Sequence, residues 1–191
     1  MAIERFEDLD LTKRYTYADY VSWQFRERVE LFKGWVMRMA GPNTYHQRVS
    51  ARLAKWLLNE LNPLGCEVLT APTDVLIAQS VEGDSVVQPD ILVVCDHAKI
   101  EQQYVRGAPD FIIEIVSPGN GKKELKRKYG QYQEAGVREY WVVHPSDRTV
   151  LRYVLNEAGT FEGLPPETED TTSIPCTIFP GVSIDGADIF P

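Results

Sequence analysis

VVQPDILVVCD (residues 86–96) and APDFIIEIVSP (residues 108–118) decide how this chain folds. Both runs are almost continuously apolar and rich in Val and Ile, the pattern of strands covered on both faces. Each carries one carboxylate inside that pattern, Asp90 in the first and Glu114 in the second. Side chains alternate along a strand, so Asp90 shares its face with Leu92 and Val94, and Glu114 shares its face with Ile112 and Val116. A charge in such a place is costly unless it is paired, hydrogen-bonded or bound to a metal. Pairing with a lysine or arginine, or a strand end open to water, accounts well for one such carboxylate and less well for two. On neighbouring strands, roughly 5 Å apart, two carboxylates on one face are placed to grip a hard cation such as Mg²⁺.

The flanking segments build a mixed α/β domain around these strands. After Pro118, a GNG turn opens a helix through KKELKRKYGQYQEA that closes at Gly136. On it, Glu124 and Lys128 stand at i and i+4 with Tyr132 one turn further, so Lys128 is expected on the side that meets the sheet. Lys122, Lys123, Lys126 and Arg127 make the same segment locally basic. REYWVVHP reads as another buried strand, paired with TVLRYVL. Upstream, Val49, Leu53, Trp56, Leu57 and Leu61 fall on one face of a helix over 44–62 that Pro63 and Gly65 stop. RVELF and WVMRMA flank Lys33-Gly34, a hairpin signal. Thr16 and Asp19 suggest a capped short helix near the start. The expected organisation is one domain over 1–158, with 159–191 packing on it as a tail.

The composition narrows the function. With 191 residues, 20 basic against 28 acidic and a net charge of −8, the chain does not hold nucleic acid by bulk electrostatics. A local basic face at 121–128 remains compatible with that balance. No run of 18 apolar residues offers a membrane span, and the first 20 residues lack a signal-peptide core, so a cytoplasmic protein is expected. Cys66, Cys95 and Cys176 are odd in number, far apart and without CxxC, which argues against a disulfide framework and against structural zinc. GxSxG, GxxxxGK[ST] and HExxH are all missing from the sequence.

PD (89–90), PDFIIEIVSP (109–118), E-L-x-x-K-x-x-x-Y (124–132) and AGVREYWVVHP (135–145), preceded by RVELFKGWVMRMAGPNTYHQRV (28–49), resemble a bacterial family. It is the Uma-type restriction-endonuclease family expanded in cyanobacteria, within the PD-(D/E)XK nuclease superfamily. The likeness runs from residue 12 to residue 155. The resemblance implies a restriction-endonuclease-like α/β sandwich, with a mixed central sheet flanked by helices. It implies Mg²⁺- or Mn²⁺-dependent hydrolysis of phosphodiester bonds in DNA, with Asp90 and Glu114 as metal ligands. Val116 occupies the place of the usual strand lysine, and Lys128 on the next helix takes over as the third catalytic residue. Glu30 and His46 match auxiliary positions, and Glu124 stands where the family more often has aspartate. Lys122, Lys123, Lys126 and Arg127 are expected to steer phosphates, and Lys128→Ala to leave folding nearly intact. Two cuts in a duplex are compatible with a homodimer. An RNA- or structure-specific nuclease, a non-catalytic nucleic-acid-binding protein and a protein-interaction module are the alternatives.

Overall fold

A computed structural model describes residues 3–39, 41–78, 83–117 and 122–191. Its first half contains α1 (Tyr17–Ser22), β1 (Val29–Phe32), β2 (Trp35–Arg38), α2 (Thr44–Leu61), β3 (Glu67–Thr70), β4 (Val75–Ala78), β5 (Ser85–Val87) and β6 (Ile91–Val94). Then come β7 (Val105–Arg106), β8 (Phe111–Ile115), α3 (Lys122–Ala135), β9 (Glu139–His144) and β10 (Thr149–Leu155). The last segment adds β11 (Phe161–Gly163), β12 (Glu167–Thr168), β13 (Ile174–Pro175), β14 (Ser183–Ile184) and α4 (Gly186–Ile189).

The central sheet runs β11-β10-β9-β8-β6-β3, with β12 added on β10. Only β8 and β9 are parallel in it, and α3 makes the crossover between them. A second sheet runs β2-β1-β5-β4-β7. The expected mixed central sheet is present, with the second sheet and a two-stranded β13-β14 pair beside it, and the change from second to central sheet falls within VVQPDILVVCD. Gln88-Pro89-Asp90 interrupts the run, leaving β5 in the second sheet and β6 in the central one. Proline has no N–H for a ladder, so the strand ends there and the chain changes sheets.

One face of the central sheet (Ile91, Val93, Phe111, Ile113, Trp141) packs on Val49, Leu53, Leu57 and Leu61 of α2. The other face (Leu92, Ile112, Tyr140, Val142) packs on Tyr132 of α3 and on Val75 and Ile77 of β4. The Lys33-Gly34 hairpin turn has φ of 48° and 82°, the left-handed pair that a two-residue turn requires. Thr16 and Asp19 form the reciprocal capping box at α1. The GNG turn before α3 and the start of the SVEGDS turn lie outside the described residues.

The segment after residue 158 reaches the core through Ile174, Phe179, Ile184 and Ile189, which join the α2 side. Glu139, fully buried, ties it down by accepting from the Ile178 N–H at 2.9 Å and from Trp141 Nε1 at 2.7 Å. The cysteines correct the sequence reading. Cys66 and Cys95 are disulfide-bonded, and Cys176 alone is free. Antiparallel pairing of Glu67 with Val94 puts the next residues outward, Cys66 and Cys95, opposite one another. Linear spacing could not show that proximity, because 29 residues separate the two.

Candidate active site

The register of β6 on β8 pairs Ile91 with Ile113 and Leu92 with Ile112, so Asp90 and Glu114 are the next residues past the end of that ladder. Directly opposite residues on antiparallel strands share a face, with Cβ atoms roughly 4.5–5.5 Å apart. Asp90 lies just outside the strand, at the sheet change, and its carboxylate reaches across to β8. Its Oδ2 accepts from the Ile115 N–H at 2.8 Å and lies 3.1 Å from His46 Nε2. Asn43 caps α2 by accepting from the His46 N–H, which fixes His46 in the first turn beside Asp90.

Glu114 is buried, and its Oε1 receives Lys128 Nζ at 2.8 Å and the Tyr132 hydroxyl at 2.5 Å. Lys128 and Tyr132 are one helical turn apart on α3, which brings both to the same oxygen. Lys128 also lies 3.1 Å from Glu30 Oε1. Glu30, on β1, accepts the Gln88 N–H at the same oxygen at 3.0 Å, while Arg127 stands 3.8 Å from its Oε2. One ammonium thus joins a carboxylate from each sheet. The expectation that Lys128 tolerates alanine is corrected: it is 2% exposed, and removing it leaves buried Glu114 without a cation and Glu30 with only the more distant Arg127.

The ionisation pattern follows from that burial. Burial pushes the Glu114 carboxyl up to about 7; Lys128 opposes the rise, and Asp90 and Glu30 add to it. For Lys128, burial favours the neutral amine, but the charges of Glu114 and Glu30 outweigh it and hold its pKa above the ordinary lysine value. Tyr132 is raised well above the ordinary tyrosine value, first by burial and then by Glu114, so it is a neutral donor.

A cleft of about 520 Å³ opens onto this cluster, lined by Arg28, His46, Asp90, Glu114, Glu124 and Lys128 among others. Among the described residues, Asp90 Oδ1 and Glu114 Oε2 accept no hydrogen bond, so each carboxylate has one oxygen engaged and one uncommitted. Two anionic oxygens suit a hard divalent cation that retains several waters. Among the described residues, no group of three or more His, Cys, Asp or Glu is arranged to hold a metal.

Of the sequence candidates, Asp90, Glu114, Lys128, Glu30 and His46 come together in one hydrogen-bonded and ion-paired cluster. Glu124 lines the cleft without an ion pair to Lys128. Arg127 turns back to Glu30, while Lys122, Lys123 and Lys126 are exposed. Tyr132 joins the cluster through Glu114, and Arg28 lines the same cleft. The i+4 spacing from Lys128 signalled Tyr132; nothing local signalled Arg28, which precedes β1 and is held by Nε donating to Gln88 Oε1 at 2.9 Å. Its Nη2 is buried without a partner among the described residues. The second PD, Pro109-Asp110, is structural, since Asp110 accepts the Cys95 N–H and pairs with Arg138.

Two layers of sheet between helices, with Asp90 just before one strand, Glu114 on its neighbour and Lys128 on the crossover helix, make up a restriction-endonuclease-like fold. A crystal structure titled as a putative nuclease belonging to DUF820 from Anabaena variabilis superposes with a TM-score of 0.73 at 17% identity, covering 92% of this chain and 97% of that one. The chain belongs to the Uma2 family, described as "Putative restriction endonuclease", whose model matches residues 17–187. That match extends into the tail, beyond the stretch in which the sequence motifs lie. Two uncharacterized proteins of Synechocystis sp. are similar. The protein slr1290 is 26% identical over 144 residues, 74% of each chain. The protein sll1609 is 26% identical over 137 residues, 69% of this chain and 76% of its own. No helix among the described residues is long and apolar enough to cross a membrane.

Proposed function

We propose that the cleft hydrolyses phosphodiester bonds in DNA with Mg²⁺ or Mn²⁺ held between Asp90 and Glu114. The observation that carries this reading is the carboxylate pair at the end of the β6–β8 ladder, each member with one oxygen bonded to the protein and one that accepts no hydrogen bond among the described residues. A divalent cation there would polarise the scissile phosphate and make its bound water more acidic. The family's description and the fold shared with the Anabaena variabilis protein support the same reaction class.

The chain's own residues divide the remaining work. Lys128, protonated and fixed between Glu114 and Glu30, presents positive charge beside the place where a phosphate gains negative charge. Its raised pKa makes it an electrostatic partner and not a base. Glu30 and Tyr132 position it and Glu114, respectively. His46 and the Ile115 N–H fix Asp90 by one oxygen, which orients the other. Arg28 lines the cleft, and its buried Nη2 has no partner among the described residues, which leaves its guanidinium a hydrogen bond to give to a phosphate oxygen.

The test is cleavage of plasmid and linear DNA with Mg²⁺ or Mn²⁺, against an EDTA control. Asp90→Asn and Glu114→Gln are expected to cut at background, and Arg28→Ala to raise KM. Undiminished cutting by Asp90→Asn, or by wild type in EDTA, overturns the reading.

A further inference from the structure

A second groove, of about 860 Å³, lies between the β1–β2 hairpin and the outer face of α3. Phe32, Trp35 and Met37 supply its hairpin side, and Lys123, Lys126 and Gly130 part of its helical side. Lys123, Arg127, Gly130 and Glu134 follow at i, i+4, i+7 and i+11, so they share one helix face, while Lys128 points inward to Glu114.

Three features give the groove a chemistry. First, its charged lining is four basic residues (Lys33, Lys123, Lys126, Arg127) against two acidic (Glu124, Glu134). Lys33 is paired with Glu134 at 3.4 Å and Arg127 stands 3.8 Å from Glu30, so the exposed Lys123 and Lys126 carry the positive charge of the rim, in a chain whose net charge is −8. Second, its aromatic rings are held by cations: the Arg127 guanidinium lies 5.9 Å from the Phe32 ring centroid, and that of Arg14 lies 5.4 Å from Trp35. Both rings stay partly exposed. Third, the floor is left open at Gly130, where an added Cβ would meet nothing within 4 Å. Glycine in mid-helix costs about 1 kcal/mol relative to alanine, yet no neighbour demands it there. Glu124 lines both this groove and the cleft of Asp90 and Glu114, so the two adjoin.

Apolar rings under a basic rim match the two halves of an unpaired nucleotide, a π-faced base and a phosphate. Paired bases are stacked within a duplex and cannot offer their faces. We propose that this groove binds unpaired nucleotides flanking the scissile phosphodiester, so that the substrate carries a single-stranded segment beside the cut. The inference rests on the nuclease reading for the identity of the polymer, and adds which form of it is bound.

Binding is measured by fluorescence anisotropy in EDTA, where no cutting occurs. The probes are a labelled oligothymidylate, an abasic strand of the same length and charge, and a blunt duplex. The wild type is expected to prefer oligothymidylate over both. Trp35→Ala is expected to lower oligothymidylate affinity by about 5- to 150-fold towards the abasic level. Gly130→Leu, which fills the floor while improving helix propensity, is expected to do the same with the fold intact by circular dichroism. Equal affinity for thymidylate and abasic strands overturns the inference, as does a preference that survives Gly130→Leu. A dimer that Gly130→Leu dissociates in sedimentation, without a thymidylate preference, assigns the groove to a second copy and overturns it too. Cleavage is read separately: cutting without thymidylate preference removes the groove proposal alone, and preference without cutting removes the nuclease reading alone.

Discussion

Replacing Lys128 with methionine keeps most of the side-chain volume and removes the charge that joins Glu114 to Glu30. The two contacts it makes, at 2.8 and 3.1 Å, are both to buried carboxylates. Charge-assisted hydrogen bonds contribute about 1.5–3 kcal/mol each, and breaking a buried pair by removing one partner costs about 3–5 kcal/mol. Since all three groups are almost wholly shielded from solvent, no discount for screening applies. A loss of about 3–5 kcal/mol at pH 8 is therefore expected, or about 6–20 °C in Tm for a chain of this size. The loss has a pH signature. Glu114 ionises in the folded protein at about 7, so near pH 5 it is already protonated and losing Lys128 no longer strands its charge, which makes the loss smaller there than at pH 8. Urea unfolding without metal, at pH 5 and pH 8, reads both values. A loss under about 0.5 kcal/mol, equal at the two pH values, would refute the buried three-residue bridge.

Other expectations follow from the same geometry. A carboxyl whose folded pKa is raised stabilises the fold most below its unfolded value near 4.5 and loses that contribution as pH rises through about 7. Metal-free stability attributable to Glu114 is thus expected to fall across that window in the wild type and not in Glu114→Gln, as followed by Tm against pH. Metal binding needs the ionised carboxylate, so the Tm rise caused by Mn²⁺ is expected to grow from pH 5 to pH 8 and to vanish in Asp90→Asn. Tyr132→Phe removes the 2.5 Å hydrogen bond to Glu114 and is expected to cost about 1.5–3 kcal/mol, with the Mn²⁺ effect moved to higher pH. Thiol titration of the denatured, unreduced chain is expected to find one reactive group, Cys176, and three after reduction.

The two apolar runs were readable as strands because burial on both faces leaves a run of Val and Ile with few interruptions. The interruptions were equally readable, since a carboxylate in such a run needs a partner. Helix spacing placed Lys128 and Tyr132 together on the side of α3 that meets the sheet. What the sequence could not show were contacts made by pairing between distant strands. Glu30 meets Lys128 only because β1 and α3 come from separate layers, and Gln88 serves Glu30 through its backbone N–H, which has no sequence signature. Arg28 resembles any surface arginine until it is found lining the cleft. The division into two sheets turned on Pro89, a residue that marked the motif more visibly than it marked the end of a strand.

The carboxylate pair is tested most directly by anomalous scattering from crystals soaked in Mn²⁺. A single peak is expected in the cleft, within roughly 2.0–2.6 Å of Asp90 Oδ1 and Glu114 Oε2, with Lys128 still bonded to Glu114 Oε1. No peak there, or one bound elsewhere with both oxygens unoccupied, would contradict the assignment.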